Sequence, residues 1–296
     1  MRVPALAVAL GLSLGASGGS RPPTVLATIT TGSAPCGAVA AHRSIWVAND
    51  GGTLVRIDPR TNRVTKRIRT GRGSCSLTAG AGALWIANYK QGLIRVLANG
   101  RVKRLEVGAV PFDVLVAFDR VWVTAWEAGQ VAVVDPHRLR VSRRIAVGAK
   151  PSGLIVRNGA VWVGFGQGTR IARIDPATWS VERFDVSERA PGWFVAGTKD
   201  LWVQAEGGRL VHVDPRTGRD LAHLRFGRTL AQGAQAPDGS IWMPDKEQSL
   251  VYRIDPKRPA VVESFGAGPG AYVALRAYRS MWVTSYAGSD VRRFKP

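Results

Sequence analysis

The chain has 296 residues, 45% of them hydrophobic, a formal net charge of +20 at pH 7, and two cysteines. The length allows two domains, but no internal run reaches the roughly 18 apolar residues of a membrane-spanning helix. Two cysteines alone make a poor metal site, and the excess of cations favours anionic partners.

In chain order, residues 1–20 stand apart. Arg2 gives a positive start, 3–14 is apolar, and Gly15, Ala16, Ser17 and Gly18 are small. This is the pattern of a secretory signal peptide cleaved near 16–19. No cysteine follows it, so a bacterial lipid anchor is not indicated. The expectation is an exported protein, secreted or held in the cell envelope, with a mature part of 21–296.

Seven tryptophans then recur: Trp46, Trp85, Trp122, Trp162, Trp202, Trp242 and Trp282, at intervals of 37 to 40 residues, each flanked by apolar residues. A period near 40 with strand-rich units marks a solenoid or a propeller. The fourth repeat reads most clearly. Its first apolar run ends at Asn158-Gly159, a pair that accepts the positive φ of a type I′ hairpin turn. A second run carries Trp162. A third run alternates polar and apolar residues, as a half-buried strand does. Asp175-Pro176 then turns the chain into a polar fourth run. The Asp-Pro turn recurs at Asp58, Asp135, Asp214 and Asp255. The second repeat uses the tighter Asn99-Gly100 instead, which accounts for the shortest interval.

Each repeat is therefore a blade of four antiparallel strands, apolar at the axis and charged at the rim. The chain ends inside the third strand of the seventh repeat, and 24–30 carries fourth-strand text. The N-terminal strand is expected to complete the last blade and remove the open edge. The fold class is all-β, a closed seven-bladed β-propeller. Each tryptophan buries about 150–250 Å² between blades. That is worth roughly 4–6 kcal/mol as an upper estimate, so the ladder is core and not a ligand cage.

Cys36 and Cys75 lie one repeat apart, each at the start of an inner strand. Adjacent inner strands converge at the axis, so a disulfide is expected. The basic residues cluster in fourth strands and their turns: Arg60, Arg63, Lys66, Arg67 and Arg69; Arg101, Lys103 and Arg104; Arg138, Arg140, Arg143 and Arg144; and also in Arg292, Arg293 and Lys295. This basic rim suits an anionic cell-envelope polymer. Aromatic residues are not interleaved with it, so no specific nucleic-acid binding is expected.

Loops joining fourth to first strands and second to third strands meet at one end of the ring. They carry residues outside the repeat pattern: Tyr89, Phe112, Trp126, Lys150, Trp193, Glu206, Asp245 and Tyr286. Scaffold positions repeat while loops carry function, so an aromatic and acidic cup here is the expected binding site. Glu206 and Asp245, with Asn49 and Asn88, form an alternative site for a divalent cation such as Mg²⁺ or Ca²⁺. Backbone capping is the stronger reading of the two asparagines. No other cofactor is expected.

The text IWVAND, the run LVRIDPRTNRVTKRIRTG, and Val147-Gly148-Ala149-Lys150-Pro151-Ser152-Gly153 resemble the YncE-like, YVTN-type propellers of bacteria. They are also similar to the virginiamycin B lyase group of propellers. The resemblance covers essentially the whole mature chain and rests on scaffold residues. It implies a propeller fold. The lyase of that group is a metal-assisted enzyme that uses a histidine to open a cyclic depsipeptide by elimination, and such general-base chemistry needs a histidine or similar group in the cup. His42 and His137 fall in turns at the opposite end, His212 in a third strand and His223 in a rim strand, so no catalytic residue carries over. The leading expectation is a monomeric, non-catalytic propeller that binds a protein, peptide or small molecule. A metal-assisted lyase or lactone hydrolase is the alternative. A quinone-dependent dehydrogenase is disfavoured, because such propellers have longer repeats and a dedicated cofactor pocket.

Overall fold

A computed structural model describes residues 22–296; the expected signal peptide lies outside the described residues. The fold is a seven-bladed β-propeller with four antiparallel strands per blade and no helix among the described residues. Blade 1 runs through Pro35–Ala41, Ser44–Asn49, Thr53–Asp58 and Arg63–Arg69, from axis to rim. Blades 2, 3 and 4 repeat this order. In blade 7 the outermost strand is Thr24–Thr30, paired antiparallel with Asp290–Lys295. The N-terminal strand therefore closes the ring, as its sequence implies.

Each tryptophan packs onto the next blade. Trp46 meets Leu77, Leu84 and Ile86 of blade 2, and Trp122 meets Leu154, Val161 and Val163 of blade 4. Trp282 meets Ile45 and Val47 of blade 1, which completes the circle. The Trp85, Trp122, Trp162, Trp242 and Trp282 side chains are fully buried. The turn chemistry also follows the sequence. Asp58, Asp135, Asp175, Asp214 and Asp255 each accept a backbone N–H two residues on, the side-chain mimic of a backbone turn.

Strand register adds a feature outside the apolar pattern. The third-strand residue opposite each tryptophan is arginine in five blades: Arg56, Arg95, Arg173, Arg253 and Arg293. The guanidinium carbons of Arg56, Arg95 and Arg293 lie 5.9, 5.3 and 5.0 Å from the indole centroids, within cation–π range. In blade 5, His212 stacks on Trp202 at 4.2 Å. Part of the basic composition thus roofs the core.

The ring is least regular in blades 5 and 6. The inner position of blade 5 is held by a single bridge, Phe194 to Val203, and the inner strand of blade 6 is only Ala234–Gln235. Here inner segments bond sideways: Ala196 N donates to Gly233 O, and Gln232 N to Tyr272 O. Pro191 and Gly192 interrupt the strand pattern in blade 5, and Gly233 does so in blade 6.

Candidate functional site

Two sets of positions, one residue per blade in each, build the site. The first follows the end of each second strand and reads Asp50, Tyr89, Trp126, Gly166, Glu206, Lys246 and Tyr286 around the ring. The second follows the first residue of the inner strand, where the register shifts by a bulge in blades 1, 2, 3, 4 and 7. Bulges re-aim side chains, and here they place Cys36, Cys75, Phe112 and Tyr272 at the mouth of the ring. Cys36 and Cys75 form the expected disulfide, with Cα atoms 4.9 Å apart.

A hollow of about 600 Å³ opens over blades 3 to 6, lined by Phe112, Trp126, Trp193, Glu206, Arg228 and Lys246 among others. Phe112 stands between two indoles, with its ring 4.6 Å from Trp126 and 5.3 Å from Trp193, both stacked. The Trp126 ring lies where a Gly166 side chain would stand, so the glycine in the first set makes room for its neighbour. A smaller hollow of about 170 Å³ lies over the disulfide, lined by Asp50, Tyr89, Lys246, Tyr272 and Tyr286. The two share Phe112, Trp193, Lys246 and Tyr272.

Hydrogen bonds fix the smaller hollow. The Tyr89 hydroxyl donates to Asp50 Oδ1 at 2.7 Å and the Tyr286 hydroxyl to Asp50 Oδ2 at 2.9 Å. The Lys246 ammonium lies 4.3 Å from the Tyr286 ring and 5.4 Å from the Tyr272 ring. Burial pushes the Tyr272 phenol up to about 12. Burial, and then the hydrogen bond to Asp50, push Tyr286 up to about 12. Both therefore remain protonated donors near neutral pH, and neither serves as a base there. The arrangement can stack flat apolar groups and present cations and hydroxyl donors to a polar edge.

The expected site residues do not all share one role. Phe112, Trp126 and Trp193 come together, and Tyr89 and Tyr286 meet at Asp50. Lys150 sits beside the aromatic wall, 5.6 Å from the Trp126 ring, and pairs with Glu127 at 2.6 Å. Glu206 is exposed in the larger hollow, 3.7 Å from Arg189. Asp245 belongs elsewhere. It is fully buried, and its carboxylate accepts N–H groups from Arg228, Thr229 and Gln248. Its charge is spent on holding a loop beneath the cup. Asn49 and Asn88 are likewise caps: Asn49 donates to Thr53 O, while Asn88 donates to Gly71 O and accepts from Lys90 N and Gln91 N. Of the four-residue cation alternative, Asn88 and Asp245 thus have their oxygens committed to the backbone, and Asn49 Oδ1 accepts from the Thr31 hydroxyl at 3.1 Å. Among the described residues no group of three or more His, Cys, Asp or Glu is placed to hold a metal ion. None of the histidines lines either hollow; His212 faces Asp200 at 3.2 Å and His223 faces Ser187 at 3.0 Å.

Asp50, Lys246, Tyr272 and Arg228 are site residues that the sequence reading passed over. The signal was present for the first two, which occupy the same repeat position as Tyr89, Trp126 and Tyr286. A larger hollow of about 730 Å³ lies at the opposite end, lined by Ala196, Ala234, Ala274 and Leu275. It also carries Gln235, Arg276, Tyr278, Arg279 and Lys295 but no acidic side chain and no stacked aromatic group, so the disulfide end, with its aromatic trio, is the better site. No helix among the described residues is long and apolar enough to cross a membrane.

By sequence, the chain matches no family model and no curated protein. By structure it is similar to selenomethionine-substituted virginiamycin B lyase from Staphylococcus aureus, with TM-score 0.75, 14% identity, and coverage of 90% of this chain and 98% of that one. The catalytically inactive form of that lyase with quinupristin gives TM-score 0.74 at 14% identity, covering 92% and 98%. The WD40 β-propeller domain of Doa1 gives TM-score 0.76 at 12% identity, covering 92% and 96%. A lyase and a WD40 domain fit equally well, so these likenesses establish the propeller fold and leave the activity to the site itself.

Proposed function

We propose that this chain is an exported, non-catalytic binding propeller whose ligand sits in the cup at the disulfide end. The observation that carries the reading is the stacked trio of Phe112, Trp126 and Trp193 facing an open hollow of about 600 Å³. Half-buried stacked aromatics beside cations suit a ligand with a flat apolar part and a polar edge. The Cys36–Cys75 disulfide supports an oxidising compartment. The YncE-like assignment rests on the sequence resemblance alone. A metal-assisted lyase or lactone hydrolase remains the second reading, and the absence of a histidine from the cup weighs against it.

The test is titration of the mature protein with cyclic and linear aromatic peptides, with and without Mg²⁺, followed by tryptophan fluorescence and by mass spectrometry of the recovered ligand. Saturable binding that Trp193→Ala abolishes, with the peptide returned unchanged, is the expected result. A ring-opened product would establish the lyase reading in its place. Equal binding by wild type and Trp193→Ala would remove the cup.

A further inference from the structure

The outer strands divide the circumference in two. Those of blades 1 to 3 are Arg63–Arg69, Val102–Leu105 and Arg140–Ala146, with four, two and three basic residues and no acidic one. Those of blades 4 to 7 hold two arginines and one histidine against four carboxylates. Not one basic side chain of the first group joins an ion pair among the described residues.

One register position sharpens the contrast. In blade 4 the arginine paired in register with the tryptophan, Arg173, stands opposite Glu182, and in blade 6 Arg253 stands opposite Glu263. These pairs close at 2.9 and 2.6 Å. In blades 1 and 2 the same position holds lysine: Arg56 faces Lys66 and Arg95 faces Lys103. In blade 3 it holds Arg143, opposite Val133. Like charges directly opposite on a sheet are destabilising. The chain therefore keeps two repulsive pairs, on adjacent blades, where its own repeat offers an attractive solution.

Guarding the sheet edges does not account for this. Lysine and arginine do protect open edges, but the outer strands of blades 5 to 7 carry only Arg225 between them and expose Leu221 at 57%, Val262 at 51% and Leu26 at 46%. The cationic arc in turn exposes no large apolar side chain. The indole nearest to it, Trp179, is half-buried and covered by the Arg143 guanidinium at 4.9 Å, so the arc has nothing to insert into a bilayer and no open ring on which exposed bases would stack.

We propose that the outer edges of blades 1 to 3 are a docking surface for a linear, base-free polyphosphate or polyphosphodiester chain. Successive phosphates sit against Lys66 with Arg56, Lys103 with Arg95, and Arg143. The bound anion turns each like-charge pair into a bridged one.

The experiment uses long-chain inorganic polyphosphate as probe, with charge-matched oligothymidylate and phosphatidylglycerol vesicles as the competing classes. Polyphosphate binds the mature protein at low salt, and log K falls linearly with log salt. The variant Lys66→Glu with Lys103→Glu recreates the pairs of blades 4 and 6. It binds at least about tenfold more weakly, its salt slope is shallower by about 1.4, and its Tm rises. Lys66→Arg with Lys103→Arg keeps the affinity, and Trp193→Ala, which tests the cup, leaves it unchanged. Unaltered binding by the glutamate variant, or a fall in its Tm, overturns the proposal. Tighter binding to oligothymidylate or to vesicles than to polyphosphate overturns it too.

Discussion

Asp113 follows Phe112 in the inner strand of blade 3, and its carboxylate is buried. Oδ1 accepts from the Ser76 hydroxyl of blade 2 and from Val114 N, and Oδ2 accepts from Leu154 N of blade 4 at 2.7 Å. One side chain thus ties three blades together beneath the cup. Burial pushes its pKa from 3.8 to about 6, and the three donors oppose that rise. Between these values the folded chain holds a proton that the unfolded chain has released. Raising the pH therefore draws the equilibrium toward the unfolded state. The shift is about two units, and each unit is worth about 1.4 kcal/mol, so the pH-dependent loss is about 3 kcal/mol. Asp113→Asn keeps the volume and removes the titration. It leaves Leu154 N without its acceptor, which costs about 1–3 kcal/mol at every pH and so cancels from the slope. The assay is denaturant unfolding of wild type and variant from about pH 4 to about pH 7. The difference, wild type minus variant, should fall between about pH 4 and about pH 6 and level off above. A flat difference, or one that rises with pH, would refute the account of Asp113 as a buried acid held near neutrality.

Two further outcomes test the site's construction. Reducing the Cys36–Cys75 bond, or replacing both residues by serine, should remove about 4 kcal/mol in the chain-entropy account of a loop this long. Thermal unfolding with and without reductant measures this, and mass spectrometry that finds two free thiols in the protein purified without reductant would reject the bond itself. Gly166→Ala should push the Trp126 ring off its seat, because the added carbon enters the space that the ring occupies. Loss of the Phe112–Trp126 stack is worth about 0.5–1.5 kcal/mol and should alter the near-ultraviolet circular dichroism; an unchanged spectrum would place Trp126 elsewhere.

What the sequence discloses here is whatever repeats. The indole ladder, the Asp-Pro turns, the Asn99-Gly100 substitute and the returning 24–30 strand are one message written seven times, so the architecture was legible. The arginines opposite Trp46, Trp85, Trp162, Trp242 and Trp282 repeat as faithfully, yet read as surplus charge until strand register paired them with the tryptophans. The cup was half legible. Tyr89, Phe112, Trp126, Trp193 and Tyr286 stand out as large side chains in loops. Asp245 stands out equally and proves to be a cap, because an acidic residue after a strand serves the backbone as readily as a ligand. Asp113 was hidden for the opposite reason: a single carboxylate in an apolar strand carries no pattern, and only the approach of Ser76 and Leu154 from neighbouring blades explains it.

A sevenfold scaffold needs each blade to present the same faces to its neighbours, so the interblade positions are not free to vary. Function has to be written where the symmetry is slack, and there are two such places. One is the mouth, where the residue after each second strand is held by its backbone N–H, which donates to the loop at the start of the inner strand, and its side chain is left free to vary. That position holds Asp50, Tyr89, Trp126, Gly166, Glu206, Lys246 and Tyr286, with no residue type dominating. The other is the rim, where the outermost strand has a partner on one side only. There the residue facing the core arginine changes from lysine to glutamate around the ring without disturbing any blade contact. Departure from the repeat at a position the fold does not constrain would be noise if it were scattered. At the rim it is not: the outer strands of three consecutive blades carry cations and no carboxylate, and the outer-strand carboxylates all lie in blades 4 to 6. Drift within one chain would mix the two signs from blade to blade, so their separation into arcs points to a single extended partner that spans several blades at once.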